Sequence, residues 1–168
     1  CITRPDGPLL FVLVHIGLLC LHGRRQLRGS IEAAGMLGVM LASLTGWRFW
    51  YYGEFLPNTF YAKVGGLALE RGALYLWLYF SHHWLMAAGL LFAALRWRRR
   101  PALRPALVLS AGYLLYVAAV GGDFKPTSRF VLPLSAPLAL LAASMLEESI
   151  GRRRWTALLI AAPCTGLR

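Results

Sequence analysis

Long stretches of apolar residues, almost free of charge, are the feature that most restricts how this chain can fold. Five of them cover residues 7–23, 30–47, 72–95, 105–122 and 130–146, and a sixth begins at Trp155. Each complete stretch is close to the roughly 20 residues that an α-helix needs to cross about 30 Å of hydrocarbon. They lack the polar faces that the core helices of a soluble protein show. With only 15% charged residues, the chain is predicted to be all-α, a polytopic transmembrane helical bundle of about five complete helices and a partial sixth.

The basic residues lie in alternate connections between these stretches. Arg24, Arg25 and Arg28 fill the first connection, five arginines at positions 96–104 fill the third, and three at 152–154 fill the fifth, together eleven of the 18 basic residues. Cytoplasmic connections of membrane proteins are enriched in Lys and Arg. The pattern predicts a multi-pass protein of the cytoplasmic (inner) membrane, with residues 1–6, 48–71 and 121–129 on the periplasmic or extracellular side.

Charge and cysteine usage restrict the partners. The net charge of +11 does not indicate nucleic acid, because the basic residues form short runs instead of one continuous stripe. The three cysteines show no ligand spacing, and the adjacent His82 and His83 would point about 100° apart on a helix, so neither a metal nor a cofactor is predicted. Because the chain starts without Met and ends inside its sixth stretch, residues 1–168 are expected to be a single transmembrane domain within a larger integral membrane protein.

The longest predicted outside loop, residues 46–66, combines aromatic and charged side chains. One interpretation places it at the membrane interface, where aromatic rings with polar groups are common. The other makes it a cleft for an anionic lipid-linked substrate, because Arg can bind a phosphate through two hydrogen bonds and tyrosines can stack on a sugar. The candidate residues for such a cleft are Arg48, Tyr51, Tyr52, Asn58 and Lys63.

Two shorter polar motifs lie on the same predicted side. In the first, Asp6 precedes the first apolar stretch and is interpreted either as the cap of its helix or, with Arg4, as a candidate substrate-binding residue. In the second, Gly121 and Gly122 lead into a polar segment that runs from Asp123 to Arg129. The glycines permit a close backbone approach or a positive φ. Asp123 and Arg129 are interpreted either as an interfacial ion pair or as substrate-binding groups.

These strings resemble a known family. RFWYYG beginning at Arg48, LPNTFYAK ending at Lys63, GGDF beginning at Gly121 and RFVLP beginning at Arg129 are similar, in this order, to motifs of the mycobacterial-type terminal arabinofuranosyltransferases. So is the RPDG string that begins at Arg4. The resemblance spans roughly residues 1–150. These enzymes belong to the GT-C class of multi-pass glycosyltransferases, which take sugars from polyprenyl phosphates.

The resemblance implies inverting transfer of a sugar, with arabinofuranose the candidate, from a polyprenyl-phosphate donor to a glycan, lipid or protein acceptor outside the cytoplasm. A general base would deprotonate the acceptor hydroxyl while cations stabilise the departing lipid phosphate. Family members usually carry the base in an outside loop that would lie upstream of Cys1. The catalytic residue is therefore expected to be absent from this chain, which would be inactive alone. Lys125 departs from the apolar residue that is common at this position in the family.

A non-enzymatic membrane protein is the alternative, either a scaffold or a segment of a transporter. Transporters tend to carry polar residues or broken helices near the middle of the membrane. Here the polar motifs gather at one predicted face, which favours chemistry on a lipid-linked substrate over alternating access.

Overall fold

The helical class predicted from hydropathy is present throughout the part of the chain that the computed structural model describes, residues 6–53, 68–122 and 129–151. Helices make up 88% of these residues, and no strand occurs among them, which confirms the all-α prediction. The α-helices are α1 (Gly7–His22), α2 (Leu27–Tyr52), α3 (Leu69–His82), α4 (Trp84–Leu95), α5 (Arg104–Val120) and α6 (Ser135–Ile150).

Fewer helices meet the length and apolarity of a membrane span than the sequence predicts. Among the described residues, two continuous helical stretches do so, Gly7–Tyr52 and Pro101–Val120, and the bent pair α3–α4 gives a third if it counts as one span. The connection between α1 and α2 is a 3₁₀ turn, Gly23–Gln26, so these two helices are continuous. Helix α6 has only 16 residues, because a 3₁₀ turn that contains Pro133 occupies the start of the predicted stretch.

Helix α5 is the centre of the packing. It contacts α1, α3, α4 and α6, and α4 also packs along α6. Its fully buried residues Tyr113 and Val117 join Leu13 of α1 and Leu138 of α6 in one apolar cluster. A second cluster surrounds Ala93 near the other end of α5. Buried residues of α5 therefore belong to both apolar clusters of the core.

Two glycines bring helix backbones into direct contact. A Cβ atom at Gly72 of α3 would overlap the backbone carbonyl of Ala118, and one at Gly89 of α4 would lie 2.5 Å from the backbone nitrogen of Ala142. Small residues have this role in membrane helices because the driving force between helices there is close packing.

The predicted single span at residues 72–95 is broken in its middle. Helices α3 and α4 meet at an angle of 103°. Just before the break, the Nδ1 atoms of His82 and His83 lie 2.9 and 3.0 Å from the carbonyl oxygens of Leu78 and Tyr79, and Ser81 Oγ also donates to the Leu78 carbonyl at 2.8 Å. Side chains that bond to carbonyls of the preceding turn compete with the helical pattern and bend helices. Three such side chains in succession account for the break.

Arginines of the predicted cytoplasmic connection at 96–104 bond to neighbouring helices at one end of the bundle, here called the arginine end. Arg104, which begins α5, donates from Nη1 to the carbonyl of Cys20 near the end of α1 at 3.0 Å, and from Nε to the Trp97 carbonyl at 3.2 Å. Arg96 and Arg100 form ion pairs of 2.5 and 3.0 Å with Glu148, near the end of α6. These contacts tie together the ends of α1, α4 and α6 and the start of α5.

Helix α2 stands apart from the other described helices. It contacts the turn at Gly23–Gln26 and does not pack along any helix within residues 6–53, 68–122 and 129–151. Only Ser30 among its residues is buried. Its Arg28 forms an exposed ion pair of 3.0 Å with Glu32. Most of the other exposed side chains of α2 are apolar, and a lipid environment would solvate them.

Candidate functional site

The most deeply buried of the candidate ligands is Asp6, at the start of α1. Its side chain is 3% exposed and accepts a hydrogen bond from the hydroxyl group of Tyr113, which is fully buried on α5. The side chain does not form the predicted cap, although the backbone carbonyl of Asp6 accepts from Leu10 N at 3.0 Å. The carboxylate thus joins α1 to α5, because a buried carboxylate is stabilised more by a strong hydrogen-bond donor than by capping the first turn of the helix.

The end of α5 is shaped by the two predicted glycines. Gly121 and Gly122 have φ values of 89° and 72°, a region that L residues with a Cβ atom seldom adopt. A Cβ atom at Gly121 would lie 2.7 Å from that of Ala68, and one at Gly122 would lie 2.6 Å from Cγ of Tyr75. Ala68 N also donates to Ala119 O at 3.2 Å. Both predicted roles of the glycines, positive φ and close approach, are confirmed.

The groups named in the last two paragraphs define the aspartate end of the bundle, opposite the arginine end. It comprises Asp6, Ala68, Gly121 and Gly122, together with Phe130, which packs against the same apolar cluster. Arg129 directly precedes Phe130, and its side chain is exposed. The structure therefore brings the motif at Asp6 to the same end as the motifs at Gly121 and Arg129.

Sequence reasoning missed the tyrosines of this end. Tyr113 and Tyr116 lie on one side of α5 with ring centroids 5.6 Å apart, and Tyr75 and Tyr79 of α3 pack against the same cluster. The pairs are spaced by three and four residues, which places each pair on one helix face. Buried phenol hydroxyl groups usually have a hydrogen-bond partner. Tyrosines at helical spacing inside an apolar stretch were the signal that could have identified them.

The candidates on α2 lie on a helix and not in the predicted outside loop. Helix α2 continues through Tyr52 and ends at Gly53, where φ is 72° and the N–H group donates to Phe49 O at 2.9 Å. Trp47 and Tyr51, one turn apart, stack with ring centroids 5.6 Å apart. The aromatic run favours helix because it contains no Gly or Pro before Gly53 and its rings pair along one face.

Because Arg48, Tyr51 and Tyr52 lie on α2, they form a group separate from the candidates at the aspartate end. Arg48 is half-buried, and Tyr51 and Tyr52 are 63% and 64% exposed. Because α2 does not pack along another described helix, the described ranges do not bring these three residues into contact with the aspartate end. The other four candidates, Arg4, Asn58, Lys63 and Asp123, lie outside the described residues.

Comparison of the chain with protein-family models, with curated proteins and with solved structures gives no match. Among the described residues, no group of three or more His, Cys, Asp or Glu side chains is placed to hold a metal ion. The chemistry of the aspartate end therefore has to be inferred from its own residues.

These residues divide into positioning groups and accessible groups. Asp6 and Tyr113 are too buried to touch a substrate in this conformation, so they hold α1 against α5. Arg129 is exposed and can reach a ligand at the surface, where a guanidinium group recognises phosphate through paired donors. The aspartate end can thus present the exposed guanidinium group of Arg129 over a layer of packed tyrosine rings.

Proposed function

We propose that this chain is the membrane domain of a GT-C-class glycosyltransferase that takes a sugar from a polyprenyl phosphate. The donor sugar that the motifs favour is arabinofuranose, and the acceptor is a glycan, lipid or protein of the cell envelope. The observation that supports this proposal is that two separate motifs lie at one end of the bundle. Asp6, from the first, is bonded to the buried Tyr113, and Gly121, Gly122 and Arg129, from the last, lie at the same end, where Gly122 contacts the half-buried Tyr75.

In this proposal the arginine end faces the cytoplasm and the aspartate end faces the opposite side of the cytoplasmic membrane. In the proposed GT-C-like arrangement the chain forms about five complete spans and part of a sixth. This is more than the two or three spans that the described helices provide. The acceptor oxygen attacks the anomeric carbon of the sugar, the bond to the phosphate oxygen breaks, and a base takes the proton of the acceptor. Arg129 stabilises the phosphate that leaves. Arg48 and Lys63 share this role only when the end of α2 packs against the aspartate end, which it does not do in the described conformation.

Asp6 and Tyr113 have a positioning role in this reaction. Their hydrogen bond joins the start of α1 to α5, so it holds the first motif at a fixed depth beside the last. Catalytic groups that are displaced by about 1 Å can lose about 100-fold in rate. Loss of this hydrogen bond is therefore expected to lower the rate of transfer without abolishing it.

The test uses the protein in proteoliposomes with radiolabelled polyprenyl-phosphate pentoses and an added glycan acceptor. The variants Arg48→Ala, Lys63→Ala and Asp123→Asn are compared with wild type, and Arg98→Ala, an exposed arginine of the opposite end, is the matched control. Transfer by wild type and by Arg98→Ala that the other three variants lose, with helicity unchanged, would support the proposal. No consumption of any donor by wild type would refute the glycosyltransferase function.

The break between α3 and α4 keeps a transporter segment as the second candidate function. Broken helices line the substrate sites of many transporters, and this one turns by 103° between His82 and Trp84. Efflux of a preloaded solute from the same proteoliposomes, with no donor consumed, would favour that function. A protein with neither activity would be assigned to a scaffold.

A further inference from the structure

An apolar cleft opens on the side of the bundle where α1 and α6 flank α5. Its volume is about 340 Å³, within the size range of ligand sites in proteins. Its walls are almost entirely apolar. The principal lining residues are Val14, Leu18, Pro105, Leu109, Ala136 and Leu140. Two of these helices, α1 and α5, belong to the stretches that are long and apolar enough to span a membrane, so the cleft faces lipid when the chain is inserted.

One end of the cleft leads to cationic side chains. Pro105 directly follows Arg104, whose Nη1 atom is held on the carbonyl of Cys20 at 3.0 Å. Leu18 lies one turn before the end of α1, and the exposed Arg24 and Arg25 follow in the next turn. Within the described part of the chain neither Arg24 nor Arg25 forms an ion pair.

Arg104 is well prepared to bind an anion at this position. Its two hydrogen bonds to backbone carbonyls use two of the five guanidinium N–H donors. Its guanidinium carbon also lies 5.3 Å from the centroid of the Trp97 ring, which restricts the side chain further. A guanidinium group that is already ordered loses little conformational freedom when it binds a phosphate.

We propose that this cleft and the arginines beside it form a binding site for an anionic phospholipid. One acyl chain occupies the apolar cleft, and the phosphate lies among Arg24, Arg25 and Arg104. Basic pockets between transmembrane helices are known to take anionic headgroups. This site lies at the arginine end, whereas the proposed sugar transfer takes place at the aspartate end, so the inference does not depend on the proposed function.

The test measures lipid binding to the purified chain by native mass spectrometry. The probes are dioleoylphosphatidylglycerol and dioleoylphosphatidylcholine, which share their acyl chains and differ in net charge. The headgroup variant is Arg24→Gln/Arg25→Gln, with Arg24→Lys/Arg25→Lys to retain the charge. Arg28→Gln is the matched control, because Arg28 is exposed nearby but paired with Glu32. Ala136→Trp fills the cleft from an exposed position without entering the core.

Wild type is expected to bind phosphatidylglycerol more tightly than phosphatidylcholine. At roughly 1 kcal/mol per arginine, loss of two arginines corresponds to about thirtyfold weaker phosphatidylglycerol binding. The lysine variant and Arg28→Gln should retain the preference, and Ala136→Trp should weaken both lipids. Equal binding of the two lipids by wild type, or an Ala136→Trp variant that binds as wild type does, would overturn the proposal. Circular dichroism confirms in each case that the helices are intact.

Discussion

Replacement of Tyr113 by Phe removes one hydroxyl group from the interior of the bundle and leaves the shape of the ring unchanged. The lost hydrogen bond is the one to Asp6, and both side chains are nearly inaccessible, at 0% and 3% exposed. A hydrogen bond to a charged group is worth about 1.5–3 kcal/mol, whereas polar pairs between membrane helices average only about 0.6 kcal/mol. Because this acceptor is a buried carboxylate, we expect a loss of about 2 kcal/mol in the free energy of unfolding.

The measurement is a double-mutant cycle with Tyr113→Phe and Asp6→Ala, in which unfolding in mixed micelles is followed by circular dichroism. The double variant should lose about 2 kcal/mol less than the sum of the single variants, because the second change removes an interaction that the first has already broken. Tyr79→Phe is the matched control, since the Tyr79 hydroxyl donates at 3.3 Å to the thioether of Met86, a weak acceptor. A coupling below about 0.5 kcal/mol would refute the assignment of Asp6 as a positioning group.

Three further changes test the packing, the ion pairs and the topology. Gly72→Ala should destabilise the fold by about 1–3 kcal/mol, because its Cβ would meet backbone, whereas Gly38→Ala, with open space around it, should be neutral or slightly stabilising in the same unfolding assay. Glu148→Gln should cost only about 0.5–1 kcal/mol, because its ion pairs are partly exposed, and a loss above about 3 kcal/mol would contradict this. In a background without native cysteines, Arg98→Cys and Arg129→Cys should react with an impermeant maleimide from opposite sides of a vesicle, and labelling of both from one side would contradict the topology.

Local chemistry made part of the fold predictable. The predicted stretches at 7–23 and 105–122 differ by only a residue or two from α1 and α5. Each begins with Pro in its first turn and ends at a glycine with positive φ. Proline and glycine in these positions act through the backbone of their own turn. Their effect can therefore be predicted without knowledge of the neighbouring helices.

Hydropathy alone could not locate the break between α3 and α4. An average over residues 72–95 treats Ser81, His82 and His83 as a small polar interruption in a long apolar stretch. The structure shows that these side chains bond to carbonyl groups of their own helix. The break therefore arises from the direction of specific hydrogen bonds, which a sum over residue polarities does not contain.

The candidate site was predictable to a different degree at each motif. The conformation of Gly121 and Gly122 followed from the absence of a side chain. The partner of Asp6 did not, because it lies 107 positions further along the chain and is brought near only by the packing of α1 on α5. A helix cap, the prediction from local sequence, was the weaker interaction for a carboxylate in an apolar interior.

The two ends of α5 are too far apart for their charged groups to interact strongly. Helix α5 has 17 residues, so Arg104 and Gly121 lie about 26 Å apart at 1.5 Å per residue. This separation exceeds the screening length of about 8–10 Å in physiological salt. Loss of Arg24 and Arg25 should therefore weaken lipid binding at the arginine end without a direct effect on an anionic substrate at the aspartate end. An effect of that double variant on sugar transfer would have to pass through the packing of α5, and the Asp6–Tyr113 coupling would then change as well.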